Sequence, residues 1–352
     1  MSPTSTVLPN WAWLLGQPGA SGVIRSSPED FRVQELPLVR PDGEGTHVWL
    51  EIEKRGANTN WVADQLARSA GVKSRDVGFA GMKDRHGVTS QWFSVGLQEA
   101  ANSDWASWSI KDVSVLQAHR HGRKLRRGAL VGNRFHIVVR KLQGETEDLL
   151  ERIEKAGRLG VPNYFGLQRF GHGGLNVQRA REWLERGGRI RRNQRSIYLS
   201  SARSYLFNQL LSARVEQGNW NQLLDGDVAM LDGSRSVFPC TLPDAELVDR
   251  CDEFDIHPTG PLPGRGEAGT HREAAALEAA VLEADSKLVE ALAGAGVDSA
   301  RRSLRLRPLG MECELDDDVL SLKFELPAGA YATSLLRELV TVSDGTILKG
   351  SE

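Results

Sequence analysis

Hydrophobic and polar residues alternate at every second position in four stretches near the two ends of the chain. Asp30–Pro37 puts Phe31 and Val33 on one side and Arg32 and Gln34 on the other. Thr46–Lys54 sets Val48, Leu50 and Ile52 against Trp49, Glu51 and Glu53. Phe135–Arg140 and Leu320–Leu326 repeat the pattern through Phe135, Ile137 and Val139 and through Leu320, Leu322, Phe324 and Leu326. A period of two predicts half-buried strands. Asn58–Ala70 instead recurs at i, i+4 through Val62, Leu66 and Ala70, with Asn58–Asn60 to cap its start and Gly71 to stop it, which predicts a helix. The middle of the chain reads differently. Glu147–Lys155, Val177–Arg186 and Ser201–Glu216 predict helices, and Arg272–Ala293 is rich in Ala and Glu and strongly helix-prone. Between them, Val237–Gly269 is dense in Pro, Gly and acidic residues and predicts loops. Strand-rich ends enclosing a helical middle predict one core domain with a second inserted into it.

Composition narrows the class. The chain has 352 residues, and its 44 Lys+Arg and 46 Asp+Glu leave a net charge of −2, which excludes a globally basic coat for nucleic acid. With 40% hydrophobic and 26% charged residues it has the profile of a globular protein. Cys240, Cys251 and Cys313 are far apart and odd in number, so neither a disulfide framework nor a zinc site is suggested. His119 and His121 sit in a cationic run and suggest no metal either. Residues 1–24 carry no charge, but Pro3, Pro9, Asn10, Gln17 and Pro18 interrupt any apolar run and no basic start precedes it. No membrane span is expected, and the expected location is cytoplasmic.

The near-neutral total hides local bias. From His119 to Lys141 there are eight Lys and Arg, among them Arg123, Lys124, Arg126 and Arg127, and no acid. A second cluster is Arg189, Arg191, Arg192 and Arg195, while acids gather in Asp244–Asp255 and Glu312–Asp318. Segregated charge attracts polyanions such as RNA or DNA, although a solvated basic loop fits the same residues.

Gly78–Trp92 holds the densest set of chemically active side chains. Asp84 lies between Lys83 and Arg85, an arrangement that favours an anion able to act as nucleophile or base. Gly81 and Gly87 allow the backbone to bend and a substrate to approach. His86 is a possible acid or base. From these residues alone, a salt-bridged structural turn is the better reading, and a catalytic loop the second.

The word FAGMKDRHGVTSQW (79–92) closely resembles the catalytic signature of the TruD family of tRNA pseudouridine synthases. Five further words agree in order: PEDFRVQE (28–35), GEGTHVWLEIEKRGANT (43–59), RKLRRGALVGNRF (123–135), GVPNYFGLQRFGHGG (160–174) and LPAGAYATSLLREL (326–339). The resemblance implies an α+β fold. Its catalytic domain, residues 1–158 and 306–352, would have a mixed, mostly antiparallel sheet with helices. An α/β domain would be inserted at 159–305, with RNA entering the cleft between them. It implies Asp84 as the catalytic aspartate and Phe31 and Asn133 as contacts to the target nucleoside. Tyr331 stands where the family usually has Phe, and its hydroxyl needs a partner. Phe135 would lie beside the flipped base. Lys83, Arg85, Arg123, Lys124, Arg126, Arg127 and Arg169 would support the site or touch RNA.

The implied reaction, at uridine 13 of tRNA, breaks the N1–C1′ bond, turns the base and joins C5 to C1′. Product and substrate are isomers, so no cofactor or metal is expected, and tRNA is the one expected partner. Extruding the base costs a few kcal/mol, and stacking on an aromatic recovers about 1–3 kcal/mol. Two alternatives remain open at this point. One is an RNA-binding or RNA-folding module without turnover, for which an anion facing phosphates has no use. The other is a different base-modifying enzyme such as a methyltransferase, for which no glycine-rich cofactor loop stands out.

Overall fold

A computed structural model describes residues 8–96, 105 and 108–348, so Pro3 and the rest of the first seven residues of the uncharged leader lie outside it. The first stretch runs β1 (Ser21–Ile24), β2 (Phe31–Pro37), β3 (His47–Arg55), α1 (Thr59–Ser69), β4 (Val77–Phe79), β5 (Val88–Gly96), β6 (Val113–His121), β7 (Leu130–Gln143) and α2 (Thr146–Leu159). The middle follows with β8 (Val161–Pro162), α3 (Leu175–Arg186), α4 (Arg192–Glu216), β9 (Asp227–Leu231), β10 (Val237–Cys240), α5 (Ala245–Asp252), β11 (Ile256–Leu262), α6 (Arg272–Leu282) and α7 (Ser286–Gly294). The last stretch is β12 (Ala300–Ser303), β13 (Arg305–Leu306), β14 (Leu309–Asp316), β15 (Val319–Pro327), α8 (Ala332–Leu339), β16 (Thr341–Asp344) and α9 (Gly345–Leu348).

These elements form two compact units. The sheet unit is Gly19–Ile153, Pro308–Gly329 and Val340–Glu352, and the helical unit is Met1–Pro18, Glu154–Arg307 and Ala330–Leu339. Against the sequence boundaries at 158/159 and 305/306, Met1–Pro18 and Ala330–Leu339 group with the middle segment rather than with the flanking one.

The sheet unit is built on strands in the order β14-β15-β7-β2-β5-β3-β6, with β1 between β7 and β16 and with β4 beside β5. Only β1–β16 and β2–β5 pair parallel; the other pairs are antiparallel. Alternation holds in β2, β15 and the 135–140 part of β7. Phe135, Ile137 and Val139 and their partners Phe324, Leu322 and Leu320 are all buried, as is Leu326. The Phe135 and Phe324 rings stack 5.3 Å apart. Helix α1 starts with the Asn58 side chain accepting from Asn60 N at 2.9 Å. It lays Val62 and Leu66 against Leu50, Ile52, Phe79, Phe93 and Val95. Strand β5, by contrast, is buried at nearly every position, because both faces are covered, so it shows no alternation to read. Strand β3 departs from the half-buried expectation for the same reason: Trp49 on its second face packs with Ala80, Trp92 and Leu125.

In the helical unit, α4 places Leu206, Phe207, Leu210 and Leu211 in the core and packs on α3, α6, α7 and β11. It begins nine residues before the predicted Ser201, because its first turns are mostly exposed and carry no apolar stripe. The expected loop Val237–Gly269 is instead β10, α5 and β11. Its turn-forming residues serve as caps and breaks in a ladder: Asp244 accepts from Leu247 N at the start of α5, and Pro258 and Pro261 sit in β11, where it passes from β9 to β12. Helix Arg272–Ala293 is broken at 283–285, where Asp285 turns to Arg181 of α3 at 2.5 Å.

Candidate active site

Asp84 lies in the loop 80–87, between β4 and β5 of the sheet unit, with its side chain 54% exposed. The loop backbone is tied down from below. Gln91 Nε2 donates to Gly81 O at 3.0 Å, and Lys83 N donates to Thr59 Oγ1 at 3.1 Å. Thr59 in turn donates to Gln91 Oε1 at 3.0 Å, so two fully buried side chains share one network. Lys54 Nζ donates to Asp84 O at 2.8 Å. At the far end, a Cβ on Gly87 would lie 2.4 Å from Phe31 O, so the parallel approach of β5 to β2 admits only glycine there.

The two cations beside Asp84 in sequence are not the ones that face it. Lys83 turns inward, its Nζ 2.7 Å from Glu35 Oε2, with side chains 5% and 1% exposed. Glu35 also accepts from Trp92 N at 3.2 Å. Arg85 reaches back to Gly56 O at 3.4 Å. Lys83 and Arg85 thus have partners other than the Asp84 carboxylate. The guanidinium that does face it is Arg25. Its Nη2 is 4.0 Å from Asp84 Oδ2, its Nη1 is 2.9 Å from Asp344 Oδ2, and its Cζ lies 4.0 Å over the Phe31 ring. Burial works against the Asp344 anion, yet the Thr346 hydroxyl and amide and the Arg25 guanidinium hold its carboxyl below the usual range. Beneath the loop, burial pushes the Lys54 ammonium down to about 8, opposed by the Asp84 charge and assisted by that of Lys83.

Asn133 is on β7, opposite Glu35 of β2, so both stand on one face of the sheet. Its Oδ1 is buried without a hydrogen-bond partner among the described residues, an acceptor left open. Phe31 and Phe135 are buried, their rings 6.4 Å apart and edge to face. Tyr331 belongs to the helical unit, and its hydroxyl has found a partner: it accepts from Arg169 Nε at 2.9 Å and from Arg169 Nη2. Arg169 also donates to Ser200 Oγ at 3.0 Å, so this cation is held inside its unit.

The basic residues 123–127 occupy the β6–β7 loop. Its backbone is pinned by Trp49 Nε1 donating to Arg123 O and by Leu125 N donating to Ser94 Oγ, both at 2.8 Å. Gly128 N donates to Ala80 O at 2.8 Å, which joins this loop to the start of the Asp84 loop. Arg123, Arg126 and Arg127 are exposed, the last with its guanidinium 3.6 Å over the Phe79 ring. Lys124 donates to Arg75 O. Among the described residues, no three His, Cys, Asp or Glu side chains group as metal ligands. No helix of the described chain is long and apolar enough to cross a membrane.

Sequence reasoning singled out Asp84 and the basic loop but not Arg25, Lys54, Glu35, Thr59 or Gln91. Lys54 and Thr59 lie within GEGTHVWLEIEKRGANT and Glu35 within PEDFRVQE, so the words held them without indicating their roles. Arg25 carried one signal, being the first charge after 24 uncharged residues.

The sequence matches the family tRNA pseudouridine synthase D (TruD) over residues 11–178 and 176–339. The tRNA pseudouridine synthase D of Methylococcus capsulatus is 48% identical over 327 residues, 92% of either chain. That of Nitrosococcus oceani is 47% identical over 333 residues, 93% of this chain and 92% of its own. A crystal structure described as a putative tRNA pseudouridine synthase D from Methanosarcina mazei superposes with a TM-score of 0.71 at 22% identity, over 93% of this chain and 95% of that one. The likeness to that structure bears on the fold, which is α+β.

Proposed function

This chain belongs to the tRNA pseudouridine synthase D family, and from that membership we propose that it converts uridine 13 of tRNA to pseudouridine, with Asp84 as the catalytic carboxylate. The observation that carries the reading is one exposed carboxylate on a loop whose backbone is fixed by buried groups and whose facing cation, Arg25, is itself held by Asp344 and Phe31. A carboxylate so held can meet a ribose without first paying to order its own loop. It acts on the sugar, at C1′ or at the 2′ proton, while the N1–C1′ bond breaks. The freed uracil turns and C5 joins C1′, which displaces the carboxylate from C1′ or is accompanied by return of the proton to C2′; the C5 proton leaves to solvent and N1 takes one up.

The other assignments follow the same premise. Asn133 offers its open acceptor to a uracil N–H or a ribose hydroxyl. Phe31 acts from beneath Arg25, and Phe135 supports Phe31. Tyr331 stacks on the nucleoside with its hydroxyl fixed by Arg169. Exposed Arg123, Arg126 and Arg127 meet phosphates, Lys124 and Arg85 lie along the RNA path, and Lys83 supports the loop from inside. The substrate places the enzyme in the cytoplasm.

Tritium release from tRNA labelled at uracil C5 tests the proposal. Wild-type protein should release the label and Asp84→Asn should not, and a tRNA with cytidine at position 13 should yield none. Equal release by wild type and Asp84→Asn removes Asp84 from its role. Tight tRNA binding without any release by wild type points to a binding module instead.

A further inference from the structure

We propose that Lys54 is a positioning residue for the chemical step, a buried cation that clamps the main chain of Asp84 and so sets where its carboxylate stands. The inference rests on the reading of Asp84 as the catalytic group. Lys54 continues the apolar face of β3, two residues beyond Ile52 and four beyond Leu50, and its side chain is completely buried. From that face its Nζ donates to two carbonyls at 2.8 Å, those of Ala57 and Asp84. Ala57 lies in the turn that leaves β3, so one ammonium joins that turn to the loop that presents the carboxylate.

An ammonium in such a place is expensive to the fold. Among the described residues no carboxylate oxygen lies within 4.0 Å of it to offset that cost. Its cross-strand neighbours, Thr89 on β5 and Val113 on β6, are uncharged. The charged side chains that bear on it are Asp84 and Lys83, both from the loop it holds, the first favouring its proton and the second opposing it. A strand end that needed only to be filled would take an apolar side chain at lower cost. The arrangement instead fixes the Asp84 carbonyl, and with it the direction of the Cα–Cβ bond, from a point the substrate does not touch. That division of labour predicts that Lys54 acts on turnover and not on RNA affinity.

The test is Lys54→Met in the tritium-release assay, beside wild type and Asp84→Asn. Expected is a fall in kcat of about 10²-fold, the size of a displaced reacting group. KM and the Kd for tRNA should stay within about twofold. Lys54→Gln, which keeps a neutral donor, should recover part of the loss. The fall in wild-type single-turnover rate as pH rises past about 8 should be missing from Lys54→Met. A folded Lys54→Met with wild-type kcat, or one that loses tRNA affinity in step with turnover, overturns the proposal. Should Lys54→Met not fold, Lys54→Gln decides, since a folded Lys54→Gln that loses tRNA affinity in step with turnover overturns the proposal as well. Active Asp84→Asn would sink the catalytic reading itself, whereas inactive Asp84→Asn beside fully active Lys54→Met sinks only the role of Lys54.

Discussion

Two cationic loops of the sheet unit meet where Gly128 N donates to Ala80 O, and they handle their charge in opposite ways. In 80–87, Lys83 is buried against Glu35 and the loop is held from below by a second buried lysine. In 122–129, the apolar Leu125 and the backbone do the anchoring, and the arginines are left exposed. The first loop buries the charge of Lys83 in an internal ion pair, and the second leaves its arginines open to solvent. A run of Lys and Arg in sequence therefore does not say which of the two is being built.

Breaking that contrast is easiest at Glu35. Glu35→Ala strands the Lys83 ammonium in the interior and should cost about 3–5 kcal/mol in denaturant unfolding. A loss below about 1 kcal/mol would mean that Lys83 escapes to solvent and that the two loops are alike after all. Next in size is a pH effect. The native Lys54 pKa is lowered from 10.5 to about 8, so above 8 the native state sheds a proton that the unfolded chain keeps until near 10.5. Unfolding stability of wild type relative to Lys54→Met should accordingly rise across that window, by up to about 3 kcal/mol at roughly 1.4 kcal/mol per unit. No rise would mean that Lys54 is hydrated. In the exposed loop, Arg126→Ala with Arg127→Ala should leave the fold within about 1 kcal/mol, the part lost being the stacking on Phe79. The same pair should reduce the slope of log K against log salt for tRNA by about 2. An unchanged slope would show that these side chains touch no phosphate. The smallest effect is expected from Tyr331→Phe, which unties Arg169 within the helical unit. Kinetics should change by less than about tenfold and stability by about 1 kcal/mol. A larger change would put the hydroxyl itself in contact with substrate.

What the sequence disclosed depended on whether one face of an element meets solvent. β2, β15 and α1 were legible because burial on one side leaves a period. β5 was not, and the segment that holds it reads as an extension of the Asp84 loop. In the helical unit, the prolines and acids of Val237–Gly269 read as loop because cap and edge positions use the same residues as turns. Asp84 itself was found through an uncommon word, not through its surroundings. The direction of Lys83 and Arg85 was hidden, because it is decided by the backbone of the loop and by a glutamate 48 residues away. Lys54 was hidden because a buried lysine at the end of an apolar face looks, in one sequence, like a charge at a strand terminus.

The Arg25 that faces Asp84 leans on Asp344, and β1, which ends one residue before Arg25, pairs with β16 in parallel from Ser21 and Thr341 to Ile24 and Asp344. Residues 319 positions apart thus complete one corner around Asp84. A nascent chain whose residues 341–344 have not yet left the ribosome lacks both the strand that pairs with β1 and the carboxylate that holds the Arg25 guanidinium. The corner beside Asp84 therefore closes only after β16 has been synthesised and has paired with β1.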